Sequence, residues 1–217
     1  MLGQLLQGAL DLVFPPRCSG CDRIGWRWCD ICQQALVDVP LDVVQRRMSG
    51  LRAFASTGEH SGTLRDAMRA LKYNGAQAVA VPLAQRLINV LDAQSWRFDM
   101  VIPVPLHRGR ATERGYNQAK ALAVVVAAHY DRALKDTVVM RKRSTRTQVG
   151  LTYQQRIDNV AGAFVTTEAL HGHAVLLIDD VRTTGATLSA CAQALQRAGA
   201  DPIYGITVTH ATLRQHR

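Results

Sequence analysis

Apolar positions along this chain recur in two alternating rhythms, one of period near two and one near 3.6, which predicts strands and helices in regular succession. Residues 3–13 read as a short amphipathic helix stopped by Pro15-Pro16, and a brief helix is expected over 33–37. Residues 53–59 read as a strand. Ser61 is placed to cap a helix whose Leu64, Met68 and Leu71 fall at helical spacing, with Asn74-Gly75 as its stop. A second helix is predicted over 77–93, where Pro82 lies close enough to the start to be tolerated. Strand 100–104, helix 117–130, strand 137–140, a basic loop, a short helix over 153–159 and strand 174–178 follow. Helix 186–198, stopped by Gly199, and strand 203–209 complete the series. Such alternation implies an α/β fold with a parallel sheet flanked by helices, whose ligands bind beyond the carboxyl ends of the strands. Residues 1–48 form a small N-terminal lobe, the polar, basic stretch 45–50 is the expected boundary, and 49–217 form the main domain.

At 217 residues with 47% hydrophobic content, the chain suits one full α/β core plus an appendage. The longest clean apolar run, 121–128, is far too short to span a bilayer, so no membrane insertion is expected. The Leu-rich start lacks a basic beginning, carries Asp11 and has no small-residue cleavage site; the expected location is therefore cytoplasmic. The formal charge of +9 is concentrated: residues 107–156 hold eleven Lys or Arg against three acids, a net of +8. A field focused in this way favours a polyanion, whether pyrophosphate, nucleotide or nucleic-acid backbone, although a solvated surface has the same signature.

Four of the five cysteines form two pairs, Cys18-x-x-Cys21 and Cys29-x-x-Cys32, seven residues apart. Tight turns can point all four thiolates at one structural Zn2+, and Gly20 supports the first turn. A disulfide framework competes, but it fits an exported chain. Cys191 lies among Ala and Leu in a predicted helix and reads as a small buried apolar residue.

The densest chemistry lies at 175–187, where an apolar strand runs into Asp179-Asp180-Val181-Arg182 and then Thr183-Thr184-Gly185-Ala186-Thr187 at a helix start. Backbone N–H groups of such a turn, with the positive end of the helix, can cradle a phosphate. The two carboxylates can accept hydrogen bonds from adjacent ribose hydroxyls. A second loop, Pro105-Leu106-His107-Arg108-Gly109-Arg110, follows strand 100–104, and Arg114 opens the next helix. In a parallel sheet this loop faces the same crevice, so its arginines can reach a diphosphate. His107 reads as a surface residue in preference to a general acid. A third stretch, 141–148, carries Arg141, Lys142, Arg143 and Arg146 without an apolar anchor and suggests a mobile lid.

The 175–187 stretch resembles the signature of the type I phosphoribosyltransferases, which bind 5-phosphoribosyl diphosphate (PRPP). The wider set sharpens that likeness. The four-cysteine knuckle, Leu71-Lys72-Tyr73-x-Gly75, Pro103-Val104-Pro105-Leu106, Arg114-Gly115-Tyr116-Asn117-Gln118, Thr147-Gln148-x-Gly150-Leu151, Arg156-x-x-Asn159-Val160 and Asp179-Asp180 occur in an order similar to that of the competence-protein ComF family. The resemblance covers nearly the whole chain. It implies a type I phosphoribosyltransferase-like sheet with a small N-terminal zinc-binding lobe, called the hood. In that superfamily Asp179 and Asp180 would hold the ribose diol as the catalytic pair, and residues Val181 to Thr187 the 5′-phosphate. Leu106, His107 and Arg108 would form the pyrophosphate loop, with Lys72, Arg110, Arg114, Arg143 and Arg146 as basic contacts. Arg182 departs from the commonest pattern, in which a less charged residue is frequent.

The expected activity is transfer of ribosyl 5-phosphate from PRPP, with Mg2+, to a nitrogen acceptor, linked by resemblance to DNA uptake in transformation. The rival is a catalytically inactive relative that binds single-stranded DNA or a competence-machinery protein, with PRPP or a nucleotide as a regulator at most. Tyr116 and Tyr153, near arginines, are placed where bases can stack, although helical tyrosines more often serve packing.

Overall fold

The computed structural model describes residues 15–73, 76–106, 114–142, 160 and 162–211. In chain order these residues form α1 (Asp30–Val37), β1 (Val44–Arg46), β2 (Ala53–Ser56), α2 (Gly62–Tyr73), α3 (Ala80–Asp92, preceded by a 3-10 turn, Gln77–Val79), β3 (Met100–Pro103) and α4 (Gln118–His129). They continue with β4 (Ala133–Leu134), β5 (Val139–Arg141), β6 (Phe164–Thr166), β7 (Val175–Arg182), α5 (Ala186–Arg197) and β8 (Ile203–His210). The expected helices over 3–13 and 153–159, the Asn74-Gly75 stop and the basic loop beyond Lys142 lie outside the described residues.

Six strands make one sheet in the order β1-β2-β8-β7-β3-β4, parallel throughout except for β1, which runs antiparallel to β2 at the edge. β7 lies inside the sheet, between β8 and β3, and its run Val175 to Ile178 is buried on both faces, as an interior parallel strand requires. Leu176 and Ile178 face one core with Ile206 and Val208 of β8, closed by Met68 and Leu71 of α2, Leu83 and Leu87 of α3, and Leu122 and Val126 of α4. Val175 and Leu177 face a second core with Ile102 and Ile203, closed by Leu188 and Leu195 of α5 and by Val139 and Phe164 of the β5–β6 ribbon. Leu71, Leu83, Leu87 and Leu122 are wholly buried, each stabilising the fold by about 2 kcal/mol relative to exposure.

Three expectations are corrected. Strand 174–178 does not stop at Ile178 but continues to Arg182, because β8 goes on pairing with it: Asp179 opposes Thr207, Val181 opposes Thr209 and Arg182 opposes His210. The two acids therefore stand on the strand itself, near its carboxyl end. Strand 137–140 does not join the parallel sheet; Val139–Arg141 pairs antiparallel with Phe164–Thr166 as a two-stranded ribbon over α5. Strand 53–59 ends at Ser56, since Thr57 and Gly58 turn toward α2 and are held by bonds to β8. The short strands β1, β4 and β6 carry too few residues for a period to show in sequence.

The cysteine-bearing segment is tied firmly to the main body. Leu36 of α1 is wholly buried in the core shared by α2 and α3, and β1 adds an edge to the sheet. Arg86, only 5% exposed within α3, donates to Val39 O at 2.5 Å, Pro40 O at 2.9 Å, and Thr57 O and Oγ1 at 3.4 Å. One guanidinium thus fastens the connector after α1 to the end of β2. Replacing it orphans several buried carbonyls, so Arg86→Met is expected to lower the unfolding free energy by about 3 kcal/mol in urea titration.

Candidate functional site

Parallel strands leave their carboxyl ends, and the loops that follow, on one rim of the sheet. There Asp180 points toward the helix α2 side, where Lys72 Nζ lies 2.6 Å from its Oδ2; the side chains are 20% and 9% exposed. Val181 N–H donates to Asp180 Oδ1 at 2.8 Å, and Asp180 N–H donates to Asp179 Oδ1 at 2.9 Å. Burial alone would push both acids up. At Asp180 the Lys72 charge and hydrogen bond outweigh it and hold the carboxyl below its ordinary value. At Asp179 burial, reinforced by the Asp180 charge, holds the carboxyl well above it. The two adjacent acids are therefore held in opposite directions, Asp180 toward its ionised form and Asp179 toward its neutral one.

The turn after β7 is built for close approach. Gly185 has φ 84°, a left-handed conformation that favours glycine, and a Cβ there would strike the Met48 methyl. Thr184 Oγ1 accepts from Ala186 N–H at 3.3 Å at the start of the twelve-residue α5. The first-turn amides of α5 have no acceptor within the helix, which suits an anion. Arg182 is 8% exposed, with its guanidinium 5.7 Å from the Phe54 ring centroid on β2.

In the second loop Leu106 is half-buried at the end of the described stretch, whereas His107, Arg108 and Arg110 lie outside the described residues, as do Arg143 and Arg146. Asn117 closes this loop from both sides: its Oδ1 accepts from Ala119 N–H at 2.9 Å, capping α4, while its Nδ2 donates to Val104 O at 3.0 Å. Arg114 sits with its guanidinium 5.0 Å from the Tyr73 ring centroid and donates to Gln118 Oε1 at 2.6 Å. The motif Leu71-Lys72-Tyr73 thus meets Arg114 on one side and Asp180 on the other. Elsewhere in the basic segment, Lys120 pairs with Asp136 and Lys135 with Glu168 on the surface, which blunts the concentrated charge.

One rim residue escaped the sequence reading. His60 follows β2 and donates its backbone N–H to His210 O at 2.8 Å, while its Nδ1 lies 2.9 Å from Thr209 Oγ1. Burial first, then the Lys72 charge, hold its imidazole below the ordinary value, and Asp180 acts the other way. His210, 3.3 Å from Ser56 Oγ through Nδ1, is also held down, by burial and then Arg182. The available signal was position: Glu59-His60-Ser61 follows a parallel strand at its carboxyl end.

The four cysteines converge apart from this rim. Their sulfurs all lie within 4.8 Å of one another, with Cys18 and Cys32 3.6 Å apart and Cys21 and Cys29 3.5 Å apart. Tetrahedral Zn–S bonds near 2.3 Å separate sulfurs by about 3.8 Å, so the cluster fits a zinc ion. A Cβ on Gly20 would lie 2.6 Å from Cys32 Sγ, which explains the glycine. All four are free thiols, and Cys29 N–H points at Cys18 Sγ at 3.4 Å. Backbone donors of this kind outweigh burial and bring the Cys18 thiol down to about 6. Cys191 is wholly buried in α5, as an apolar residue would be.

No family model matches the chain. Competence protein F of Haemophilus influenzae is 36% identical over 108 residues, 48% of this chain and 47% of that protein. The DNA utilization protein YhgH of Salmonella typhimurium is 28% identical over 193 residues, 84% of this chain and 85% of that protein. The chain is a homologue of the ComF-type competence proteins. It spans about half the length of Competence protein F and most of the length of YhgH. Among solved structures, the glutamine phosphoribosylpyrophosphate amidotransferase from B. subtilis, complexed with ADP and GMP, is 16% identical. That likeness covers 64% of this chain and 30% of that one, with a TM-score of 0.44. Among the described residues of this ComF homologue, no helix is long and apolar enough to cross a membrane.

Two outcomes are expected. Because His60 and His210 are held below the 6.5 of a free imidazole, the folded chain binds fewer protons than the unfolded one as pH falls through about 6.5. Unfolding free energy measured in urea should thus drop from pH 7.5 to 5.5, and His60→Gln/His210→Gln should flatten that slope. Protein purified without chelator should carry one zinc per chain by elemental analysis, and Cys29→Ser should lose it.

Proposed function

We propose that this ComF homologue binds PRPP at the carboxyl rim of its sheet and transfers ribosyl 5-phosphate to a nitrogen acceptor. The observation that carries the reading is the juxtaposition of the Asp179-Asp180 pair at the end of β7 with the glycine turn that opens α5. The acids would take the two ribose hydroxyls, and the amides of Thr183 to Thr187 the 5′-phosphate. In the transfer, the bond from ribose C1 to the diphosphate oxygen breaks with its electron pair leaving on pyrophosphate. A nitrogen lone pair forms the new bond to C1, and the proton shed by that nitrogen passes to solvent. Positive charge then builds on the ring and negative charge on the leaving group, so orientation and charge stabilisation are what the chain must supply. Arg114 stands on the side of the second loop, where Leu106, His107, Arg108 and Arg110 would meet the diphosphate. Arg143 and Arg146 would close over it.

The two acids do not by themselves make a magnesium site, since Asp180 is committed to Lys72 and Asp179 is held toward its neutral form. Magnesium enters this reading as the counter-ion that the diphosphate carries with it. Zinc at Cys18, Cys21, Cys29 and Cys32 would be structural, closing the lobe from 1 to 48 against the domain from 49 to 217. The names of the relatives support a place in DNA uptake and use.

A second reading has its own support on the cysteine lobe, where Trp26 and Ile24 are 47% and 55% exposed beside exposed Arg17 and Arg23. An exposed tryptophan among arginines suits single-stranded DNA, in which case the rim would be regulatory. Pyrophosphate release from PRPP and Mg2+ in the presence of nucleobases separates the two, being expected only of the transferase, and calorimetry with PRPP and Mg2+ tests the rim site itself. Wild type should bind, and Asp179→Asn/Asp180→Asn should bind at least about tenfold more weakly. Equal affinity in both proteins would remove the diol assignment.

A further inference from the structure

Between α1 and α3 lies a groove of about 330 Å3, whose apolar lining comes from Val37 of α1, Val39 and Leu41 of the connector, and Val81 and Pro82 of α3. Three of these side chains are open to water: Val37 is 60%, Val81 58% and Leu41 42% exposed. Much of the polar lining is already engaged. The Arg86 guanidinium is held by Val39 O, Pro40 O and Thr57 O, and Gln85 Nε2 donates to Asn89 Oδ1 at 2.9 Å. An occupant therefore meets apolar surface and few free hydrogen-bonding groups, which favours a second apolar face over a charged ligand.

The chain before Pro15 carries such a face. On a helix, Leu2, Leu5, Leu6, Ala9, Leu10 and Val13 fall on one side and Gln4, Gln7 and Asp11 on the other. A helix over 3–13 is shorter than the roughly 12–15 residues below which helices are marginal alone in water, so its stability needs a surface to pack on. The attachment point is near that surface. Pro16 O accepts from Gly25 N–H at 2.8 Å, and the Cys18 sulfur lies 3.6 Å from that of Cys32, the neighbour in sequence of Gln33, which lines the groove. The lengths also match, since a helix over 3–13 would measure about 16 Å and α1 about 12 Å.

We infer that residues 1–14 dock with their leucine face in the groove between α1 and α3, as an intramolecular strap that ties the cysteine lobe to the body. Covering Val37 and Val81 together joins an element of the lobe to one of the main domain, in addition to Leu36 and Arg86. Nothing bound at the rim enters this assignment. An apolar helix of another molecule would suit the same groove, but the segment is tethered beside it and has the advantage of effective concentration.

Hydrogen–deuterium exchange of the full-length chain, read by mass spectrometry, tests the strap. The amides of residues 5–13 are expected to exchange at least about tenfold more slowly in wild type than in Val81→Asp or Val37→Asp, either of which puts a charge in the groove. Both positions are more than half exposed, so both variants should fold, with unchanged protection of β7 as the control. Leu6→Asp/Leu10→Asp should remove the protection from the other side of the contact, and Gln4→Glu/Gln7→Glu, on the opposite face, should leave it. Wild-type amides that exchange as fast as those of a free peptide, or protection that survives both groove variants, overturns the docking. Equal loss in the glutamine and leucine variants overturns the assignment of the face. Protection that grows as the chain is concentrated over about a hundredfold range means that the strap comes from a second copy, which overturns the intramolecular arrangement.

Discussion

An ammonium and a carboxylate, both largely withdrawn from water and 2.6 Å apart, hold the rim of this sheet together. Neither charge is stable alone in that setting, because the desolvation of each is repaid chiefly by the other. The pair fixes the end of α2 to the end of β7, and several features follow from it. Asp180 stays ionised, its charge pushes Asp179 toward the neutral form, and His60 feels Lys72 as a neighbouring cation. Tyr73 is left outward because its predecessor is committed inward.

The pair also explains why the acids behave unequally although they are adjacent and alike in sequence. On a strand, successive side chains face opposite sides of the sheet. Asp180 looks toward α2 and finds Lys72; Asp179 looks toward α5, in which Cys191 is wholly buried. A ribose bound across that end would meet two unlike carboxyls, one held toward its ionised form and one toward its neutral form. Such asymmetry suits a diol whose hydroxyls each need a defined partner.

The cysteine lobe and the rim are separate solutions to separate problems. Four sulfurs in a span of fifteen residues order a segment too short to bury a core of its own. Leu36, β1 and Arg86 then join that segment to the body, and Met48, just beyond β1, lies against Gly185 in the turn after β7. The connector after the lobe therefore reaches the candidate site itself.

The sequence by itself determined the helices and strands with long periodic faces, the convergence of four cysteines and the residues of the β7-to-α5 turn. Each is a local matter, set by spacing, by turn chemistry and by Gly185 at a position of positive φ. Asn117 was legible as a helix start for the same reason. Only the tertiary structure decided how far β7 runs, since the ladder past Ile178 depends on β8, which begins more than twenty residues later. It alone took the 139–141 strand out of the main sheet, paired Lys72 with Asp180, buried Arg182 against Phe54 and brought His60 to the rim. These are long-range pairings of charge and hydrogen bonding. The period of apolar residues carries no record of them, because it tells which face of an element is buried and not which distant residue will cover it.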